Sequence, residues 1–548
     1  MHGSLNPALR GIFSVIHKPD TKASSVAASM PTAPQFEEAM TNPAFYPFPA
    51  DKVEVHRTHI SLVFLAGDFA FKIKKPLDLG FLDFSTLEKR KKACEDELVL
   101  NRRLAPEIYL AVIPIFMDEQ GALTLFPSGR PVEYAVKMKR LDQCGMFDVL
   151  LQQGKLDNKA MEELGGIMAN FHARADARPS VNAYAFPEAI LNMWAEDLAQ
   201  VREHIPRVIP PEPMDLAEAF SKSFVQNNEA LLLERIRENR IRDCHGDLHL
   251  QNICLNQGKV VVFDCIEFNE KFRCMDVASE IAFLAMDLEC RGATALARAF
   301  TASYIEHAQD PNLKKLLSFY KCYRALVRAK IMCLRANGEP LGDMANQYAM
   351  LAAQYAAPFA RPTLICMAGI TGSGKSGVAQ EMANLTGAVV FASDVIRKTM
   401  FGFEPTEKIP EPAVKEVYGQ AASQKVYQSM LDQARENLGK GKSVILDATF
   451  TLSQGRKAAY DLAKECGVDF FLVVCSLPDE IAKERIWARY KDGQSVSDGT
   501  LAVYKAQKKE WQPTEGVPGS RIIDVQTLRP PCLLACKVLT KAISLKKG

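Results

Sequence analysis

The sequence predicts a multidomain protein, an α+β region followed by an α/β region. Three observations carry that expectation. The chain has 548 residues, too many for one ordinary core. Short β-rich runs before residue 140 give way to long helical patterns that continue to about residue 356. From about residue 362, short apolar strands alternate with helices, the pattern of a parallel sheet covered on both faces.

The bulk composition narrows the class. It is 48% hydrophobic and 24% charged, as in folded globular chains. A formal net charge of +2 gives no electrostatic reason for a nucleic-acid or membrane partner. No apolar run reaches eighteen residues, so no spanning helix is expected. Fourteen cysteines lack a paired C-x-x-C spacing. Cys244, Cys254, Cys265 and Cys274 fall close together but suit no common zinc module, so reduced thiols in a cytoplasmic protein are expected. Residues 1–44 are Ser/Ala/Pro-rich at their start and lack a sustained period, which predicts a disordered tail. Arg10, Lys18 and Lys22, with few acids nearby, leave an amphipathic transit peptide as the alternative.

From residue 45 the elements follow in order. "HISLVFLAGDFAFKIKK" holds two β-rich runs around Gly67-Asp68, a hairpin signal. "STLEKRKKACEDELVLNRRL" brings Leu87, Ala93 or Cys94, Leu98 and Leu104 near one helical face. "ALTLFP" and "VEYAVKMKRL" are further strands. A small lobe of about residues 45–140 is thus expected, with a mostly helical large lobe over about 141–356. "PFARP" supplies a linker at 357–361. In the last region, 362–548, "TLICMA", "GAVVFASD", "SVILDATF" and "FFLVVCSL" read as strands.

The first chemical motif interrupts the helical region. In "HGDLHLQNICLNQGKVVVFD", Asp247 is followed five residues later by Asn252, and a strand returns to end in Asp264. A hydroxyl acceptor needs a carboxylate to orient it and take its proton, and a metal-bound triphosphate needs separate oxygen ligands. The stretch resembles the catalytic and metal loops of the aminoglycoside phosphotransferase and choline kinase-like families, which share the bilobal protein kinase-like architecture. That resemblance implies Asp247 as the catalytic base, Asn252 and Asp264 as Mg²⁺ ligands, and His245 as a residue that shapes the loop. Such enzymes keep a lysine on a small-lobe strand and a glutamate on the helix behind it. Lys72 in "FAFKIKK" is chosen for the phosphates with Lys74 as the alternative, and Glu97 for its partner with Glu95 as the rival. No G-x-G-x-x-G precedes that strand, a departure from protein kinases which the aminoglycoside kinase group shares; "RTHIS" at 57–61 is the positional candidate for covering the phosphates.

The acceptor side is two-signed. Asp276, Glu280 and Asp287 fall near one side of a predicted helix and read either as a solvated face or as a seat for a cationic or polyhydroxylated acceptor. Lys321, Arg324 and Arg328 form a basic counterpart suited to an anion, with the same bland alternative.

The second motif is "GITGSGKS", a G-x-x-x-x-G-K-[ST] loop between a strand and a helix. Gly369, Ile370, Thr371, Gly372, Ser373 and Gly374 would turn backbone N–H groups toward phosphates, Lys375 would reach the β- and γ-phosphates, and Ser376 would hold Mg²⁺. Asp394-x-x-Arg397 opens a helix at the next strand's carboxyl edge, which suits a base and an anion grip for an acceptor. Asp447 ends another strand and is a second acceptor contact or a ligand to magnesium-bound water. Arg485 and Arg489, four apart, resemble lid arginines of small P-loop kinases. The region is similar to the gluconate kinase, adenylylsulfate kinase and polynucleotide 5′-kinase branch.

The order of the two halves resembles bacterial fusions of an aminoglycoside phosphotransferase-like domain with a P-loop kinase, known as bifunctional aminoglycoside phosphotransferase/ATP-binding proteins. The resemblance implies ATP and Mg²⁺ in both halves and small-molecule hydroxyl acceptors, without naming them. Two other readings compete. The P-loop half as a nucleic-acid 5′-hydroxyl kinase would call for a basic channel with stacking aromatics, and no concentrated stretch of that kind is present. One half as a silent nucleotide sensor would call for lost site residues, whereas candidates for each role are present.

Overall fold

The computed structural model describes residues 31–80, 82–335, 342–492 and 498–545. The chain divides within one helix into two compact units. The first runs to Glu95 and resumes over Leu110–Arg140; the second is Asp96–Tyr109 with Leu141 onward.

In the first unit, β1 (Val53–Arg57), β2 (Ser61–Ala66), β3 (Phe69–Lys74), β4 (Tyr109–Met117), β5 (Leu123–Thr124) and β6 (Pro131–Lys139) form one sheet in the order β1-β2-β3-β6-β4-β5. Gly67 and Asp68 make the hairpin, with Gly67 at φ +52 and Phe69 back in register opposite Ala66. β4 was not legible: "YLAVIPIFM" has no period-two alternation and contains Pro114. Phe71 and Ile73 point into a core with Phe36 and Met40, which come from α1 (Ala33–Thr41). This corrects the expected tail, whose residues 33–41 are helical. Their apolar side chains, one turn apart, cover one face of the sheet, and Thr32 and Gln35 close a capping box at the helix start. Residues 1–30 of that tail lie outside the described residues. The helix expected after β3 is α2 (Leu87–Asn101), within which the units divide. Arg90 on it pairs with Glu133 of β6 at 2.8 Å, both buried.

The second unit begins with helices α3 (Phe147–Gln152), α4 (Asn158–Arg174), α5 (Pro187–Arg202), α6 (Pro211–Asn227) and α7 (Glu229–Arg237). The short strand β7 (Ile241–Asp243), the hairpin β8 (Ile253–Asn256) and β9 (Lys259–Val262), and β10 (Cys274–Asp276) follow. β7 pairs antiparallel with β10, and Gln257-Gly258 join β8 to β9 with φ of 51° and 78°, the backbone of a type I′ turn. Helices α8 (Val277–Cys290), α9 (Thr294–Ala308), α10 (Leu313–Arg335) and α11 (Gly342–Ala356) complete this part.

Next comes a five-stranded parallel sheet: β11 (Thr363–Ala368), β12 (Val389–Ala392), β13 (Val444–Asp447), β14 (Asp469–Ser476) and β15 (Ile522–Gln526), in the order β12-β13-β11-β14-β15. β11 and β13 are buried along their length, as strands covered on both faces must be. The helices are α12 (Lys375–Thr386), α13 (Ser393–Met400), α14 (Glu411–Val417), α15 (Gln420–Gly439), α16 (Ser453–Glu465), α17 (Asp479–Asp492), α18 (Leu501–Glu510) and α19 (Pro531–Leu545). The expected linker lies between α11 and β11, yet the packing does not break there. α19 lies against α6 as well as α12, and one apolar core includes Leu216 and Tyr348 together with Val378, Leu534 and Val538. Arg529 joins Glu212 of α6 at 2.8 Å.

Candidate active sites

The first candidate site is built on the loop between β7 and β8. Asp243 ends β7 and is held by Arg273 at 2.8 Å, and Arg103 donates to the carbonyls of Asp243 and Cys244. The next two peptide N–H groups, of His245 and Gly246, both donate to the Glu280 carboxylate, at 3.1 and 2.6 Å. Glu280 is fully buried and lies 2.8 Å from His172 Nε2, while His172 Nδ1 lies 2.7 Å from the Tyr304 hydroxyl. Burial works against the charge, but the His172 hydrogen bond wins and the Glu280 carboxyl is lowered to about 2. Gly246 sits at φ +91, and a Cβ there would meet the Phe272 carbonyl at 2.8 Å. His245 binds the Phe263 carbonyl through Nε2 at 2.9 Å, a loop-shaping contact.

This scaffold turns Asp247 outward, with 36% of its side chain exposed. Asn252 Nδ2 donates to the Asp247 carbonyl at 2.9 Å and to its carboxylate at 3.2 Å. His249 Nε2 stands 3.2 Å from the same carboxylate. Desolvation opposes ionisation, yet His249 holds the Asp247 carboxyl well below its ordinary range. Asp264 follows directly after Phe263, whose N–H donates to the Asn252 carbonyl at 3.0 Å. Asp264 itself is at φ +63, a left-handed backbone that an aspartate adopts only at some cost. The Tyr109 hydroxyl accepts from its N–H and Asn101 from that of Cys265, which fixes the turn. Asp247, Asn252 and Asp264 therefore come together on one loop pair.

Lys72 lies on β3 in the first unit and is 9% exposed; Lys74 is more deeply buried, with its ammonium 5.5 Å from the Phe84 ring centre. Glu97 is buried in the part of α2 that belongs to the second unit, whereas Glu95 is exposed and within 3.7 Å of Lys91.

The acidic row is neither solvated nor an acceptor seat. Asp276 forks with the fully buried Arg235 at 2.7 and 2.9 Å, Glu280 anchors the loop, and Asp287 accepts from the Leu250 N–H at 3.1 Å. A helix apolar on nearly every side forces its acids to find buried partners. The basic row divides too. Lys321 pairs with Glu289 at 2.9 Å and Arg324 donates to the Ser279 carbonyl, leaving Arg328 as the member that acts on Asp247.

The second candidate site surrounds the β11–α12 loop. Gly372 and Gly374 adopt φ of +81 and +78, and α12 begins at Lys375. Thr371 and Ser373 bury hydroxyl oxygens that lack hydrogen-bond partners among the described residues. The Thr371 N–H donates to Gln507 of α18 at 2.8 Å. Asp447 ends β13 directly opposite Met367 of β11 and takes a hydrogen bond from Ser376. Its Oδ1 is buried without a partner among the described residues, and desolvation pushes its carboxyl up against the pull of Lys375. Asp447 thus stands against the start of α12, beside Ser376 and within the field of Lys375.

Asp394 heads α13 and acts electrostatically on both Asp447 and Arg489. Arg397 is largely committed, with Nη1 on the Val417 carbonyl at 2.7 Å and the guanidinium 4.8 Å from the Tyr418 ring centre. Arg485 and Arg489 are not surface charges. Arg485 donates to the Thr527 carbonyl at 2.7 Å and lies against Gly374, and Arg489 buries an Nη2 with no partner among the described residues. Thr527, absent from the sequence reading, donates through Oγ1 to the Ser373 carbonyl at 2.6 Å.

The family model described as an AAA domain matches residues 364–514. The protein Rv2004c of Mycobacterium tuberculosis strain H37Rv is 33% identical over 461 residues, covering 84% of this chain and 91% of its own length. The same figures hold for Mb2027c of Mycobacterium bovis. The chain belongs to this family. The Rv2004c-like family thus spans both candidate sites in one polypeptide. Among solved structures, an ADP-bound aminoglycoside phosphotransferase is similar over 59% of this chain and 99% of its own, at 14% identity and a TM-score of 0.35. A gluconokinase from Sinorhizobium meliloti is similar over 34% of this chain and 94% of its own, at 16% identity and a TM-score of 0.26. Among the described residues, no helix is long and apolar enough to cross a membrane.

Proposed function

We propose that this member of the Rv2004c-like family is a cytoplasmic double phosphotransferase, in which each half moves the γ-phosphate of ATP to a hydroxyl of a small molecule. In the front half, about residues 45–356, Asp247 orients the acceptor hydroxyl and takes its proton. Lys72 steadies the nucleotide phosphates. In the back half, about residues 362–548, the loop N–H groups and Lys375 hold the phosphates. Arg485 and Arg489 close on them, Asp394 serves as base and Arg397 steadies the acceptor.

The observation that carries the reading is the placement of Asn252. Its Nδ2 is spent on Asp247, so its Oδ1 is the atom left to face a cation beside Asp264, next to a partly open carboxylate. In the back half the Asp447 Oδ1, which has no partner among the described residues and lies beside Ser376, fits the same need. Asn252 and Asp264 would hold magnesium in front, with Ser376 and Asp447 behind. When bound, it neutralises charge on the phosphate oxygens.

The test is Mg-ATP turnover against pooled sugars, amino alcohols, metabolites and 5′-hydroxyl oligonucleotides. Wild type is compared with Asp247→Ala, Lys375→Ala and the double variant. Each single variant is expected to lose one set of products, by about 10²- to 10⁴-fold for the base. Turnover that survives the double substitution overturns the assignment.

A further inference from the structure

The charge around Asp247 bears on what the front half phosphorylates. Arg328 and Arg335 lie seven residues apart on α10, hence on one helical face. Both act electrostatically on Asp247. Arg328 lies with its guanidinium 5.5 Å from the Tyr348 ring centre of α11. Its Nε is buried and has no hydrogen-bond partner among the described residues. The upstream cations of this helix, Lys321 and Arg324, are tied to Glu289 and to the Ser279 carbonyl. The acids nearby are equally committed: Asp287 to the Leu250 N–H and Arg291, and Glu280 to the loop beneath. His249 adds an imidazole 3.2 Å from Asp247.

We infer that the front-half acceptor carries an anionic group, a carboxylate or a phosphate monoester, which Arg328 and Arg335 bind while Asp247 receives its hydroxyl. The inference rests on the phosphotransferase reading of that half. A cationic acceptor would meet two guanidinium groups, and like charges across a binding site are strongly disfavoured. An oxyanion instead gives the buried Arg328 Nε an acceptor in the planar geometry that guanidinium groups match. Tyr348 keeps the guanidinium in place by its ring face and by a side-chain hydrogen bond, which leaves the Nε as the donor to be met.

The test uses the full chain with Lys375→Ala, which silences the back half, and follows Mg-ATP consumption in four arms. They are sugar acids (D-gluconate, D-glycerate), sugar phosphates (D-ribose 5-phosphate, D-glucose 6-phosphate), uncharged polyols (glycerol, D-glucose) and cations (choline, kanamycin). Asp247-dependent product is expected in one of the first two arms, and which of them responds tells carboxylate from phosphate. Adding Arg328→Met is expected to raise the acceptor KM about 10- to 100-fold, as for loss of a charged hydrogen bond. The KM for ATP should move less than about twofold, with partial recovery in Arg328→Lys.

Asp247-dependent turnover confined to the uncharged or cationic arms overturns the inference, and so does a rise in ATP KM alone. If no arm reacts, the phosphotransferase reading of the front half fails, and calorimetric titration with sulfate still decides the anion site. One sulfate fewer should bind to Arg328→Met/Arg335→Met than to its parent; equal stoichiometry overturns the site.

Discussion

Asn252 Nδ2 reaches the Asp247 carboxylate at 3.2 Å while also holding the Asp247 carbonyl at 2.9 Å. One amide therefore sets both the backbone and the side chain of the proposed base. Replacing it by aspartate would keep an oxygen for a cation but set two carboxylates side by side, so that one retains a proton. Asn252→Asp is expected to lose about 10²-fold or more in front-half kcat and to regain activity as pH rises. A pH–rate profile of the Lys375→Ala protein with and without Asn252→Asp checks this.

Glu280 predicts an acid limb. Its carboxyl is lowered from 4.5 to about 2, so the stability it contributes is present above the unfolded value and is lost as pH falls toward about 2. The difference corresponds to on the order of 3 kcal/mol. Glu280→Gln should be less stable than wild type at pH 7 by an amount of that order, and the two denaturant midpoints should converge as pH drops from 4.5 to 2. Parallel curves at all pH values would show that the two loop N–H bonds do not depend on the charge.

Lys375→Ala should cost the back half about 10²- to 10³-fold in rate, as for removal of a preorganised charge on a transferring phosphate. Arg489→Met should mainly raise the KM for ATP in the back half, because its buried Nη2 has no partner among the described residues for which it would be needed structurally. Product analysis of the two halves separates the effects, since front-half products should persist in both variants.

Thr527→Val removes the 2.6 Å bond to the Ser373 carbonyl at about 1 kcal/mol of local stability. Faster hydrogen exchange across residues 369–376, with little change in global stability, is the expected readout.

Much of this geometry was legible in the sequence because each motif holds its residues at a fixed spacing. Asp247, Asn252 and Asp264 lie on one loop pair, and the glycines around Lys375 form their turn, since a shift of one residue would break either device. Glu280 and Thr527 were not legible as supports, because their roles depend on which buried groups the tertiary fold brings to them. A clue existed for Glu280: an acid within the apolar run "VASEIAFLAM" must be partnered to be tolerated. α1 was missed although Thr32 and Gln35 have the spacing of a capping box, because the low-complexity stretch before them dominated the local composition. β4 and β15 were missed for different reasons, the first for its proline and lack of alternation, the second for its short edge run "IIDVQ".

The seam where α19 meets α6, closed by Arg529 and Glu212, has a practical meaning for anyone who wishes to study the two candidate sites one at a time. Severing the polypeptide after residue 356 would strip Leu534, Val538 and Leu539 of apolar neighbours and leave each fragment with a sticky, newly wetted flank. Point substitutions within the intact molecule, rather than truncation, are the sound way to disable either candidate site.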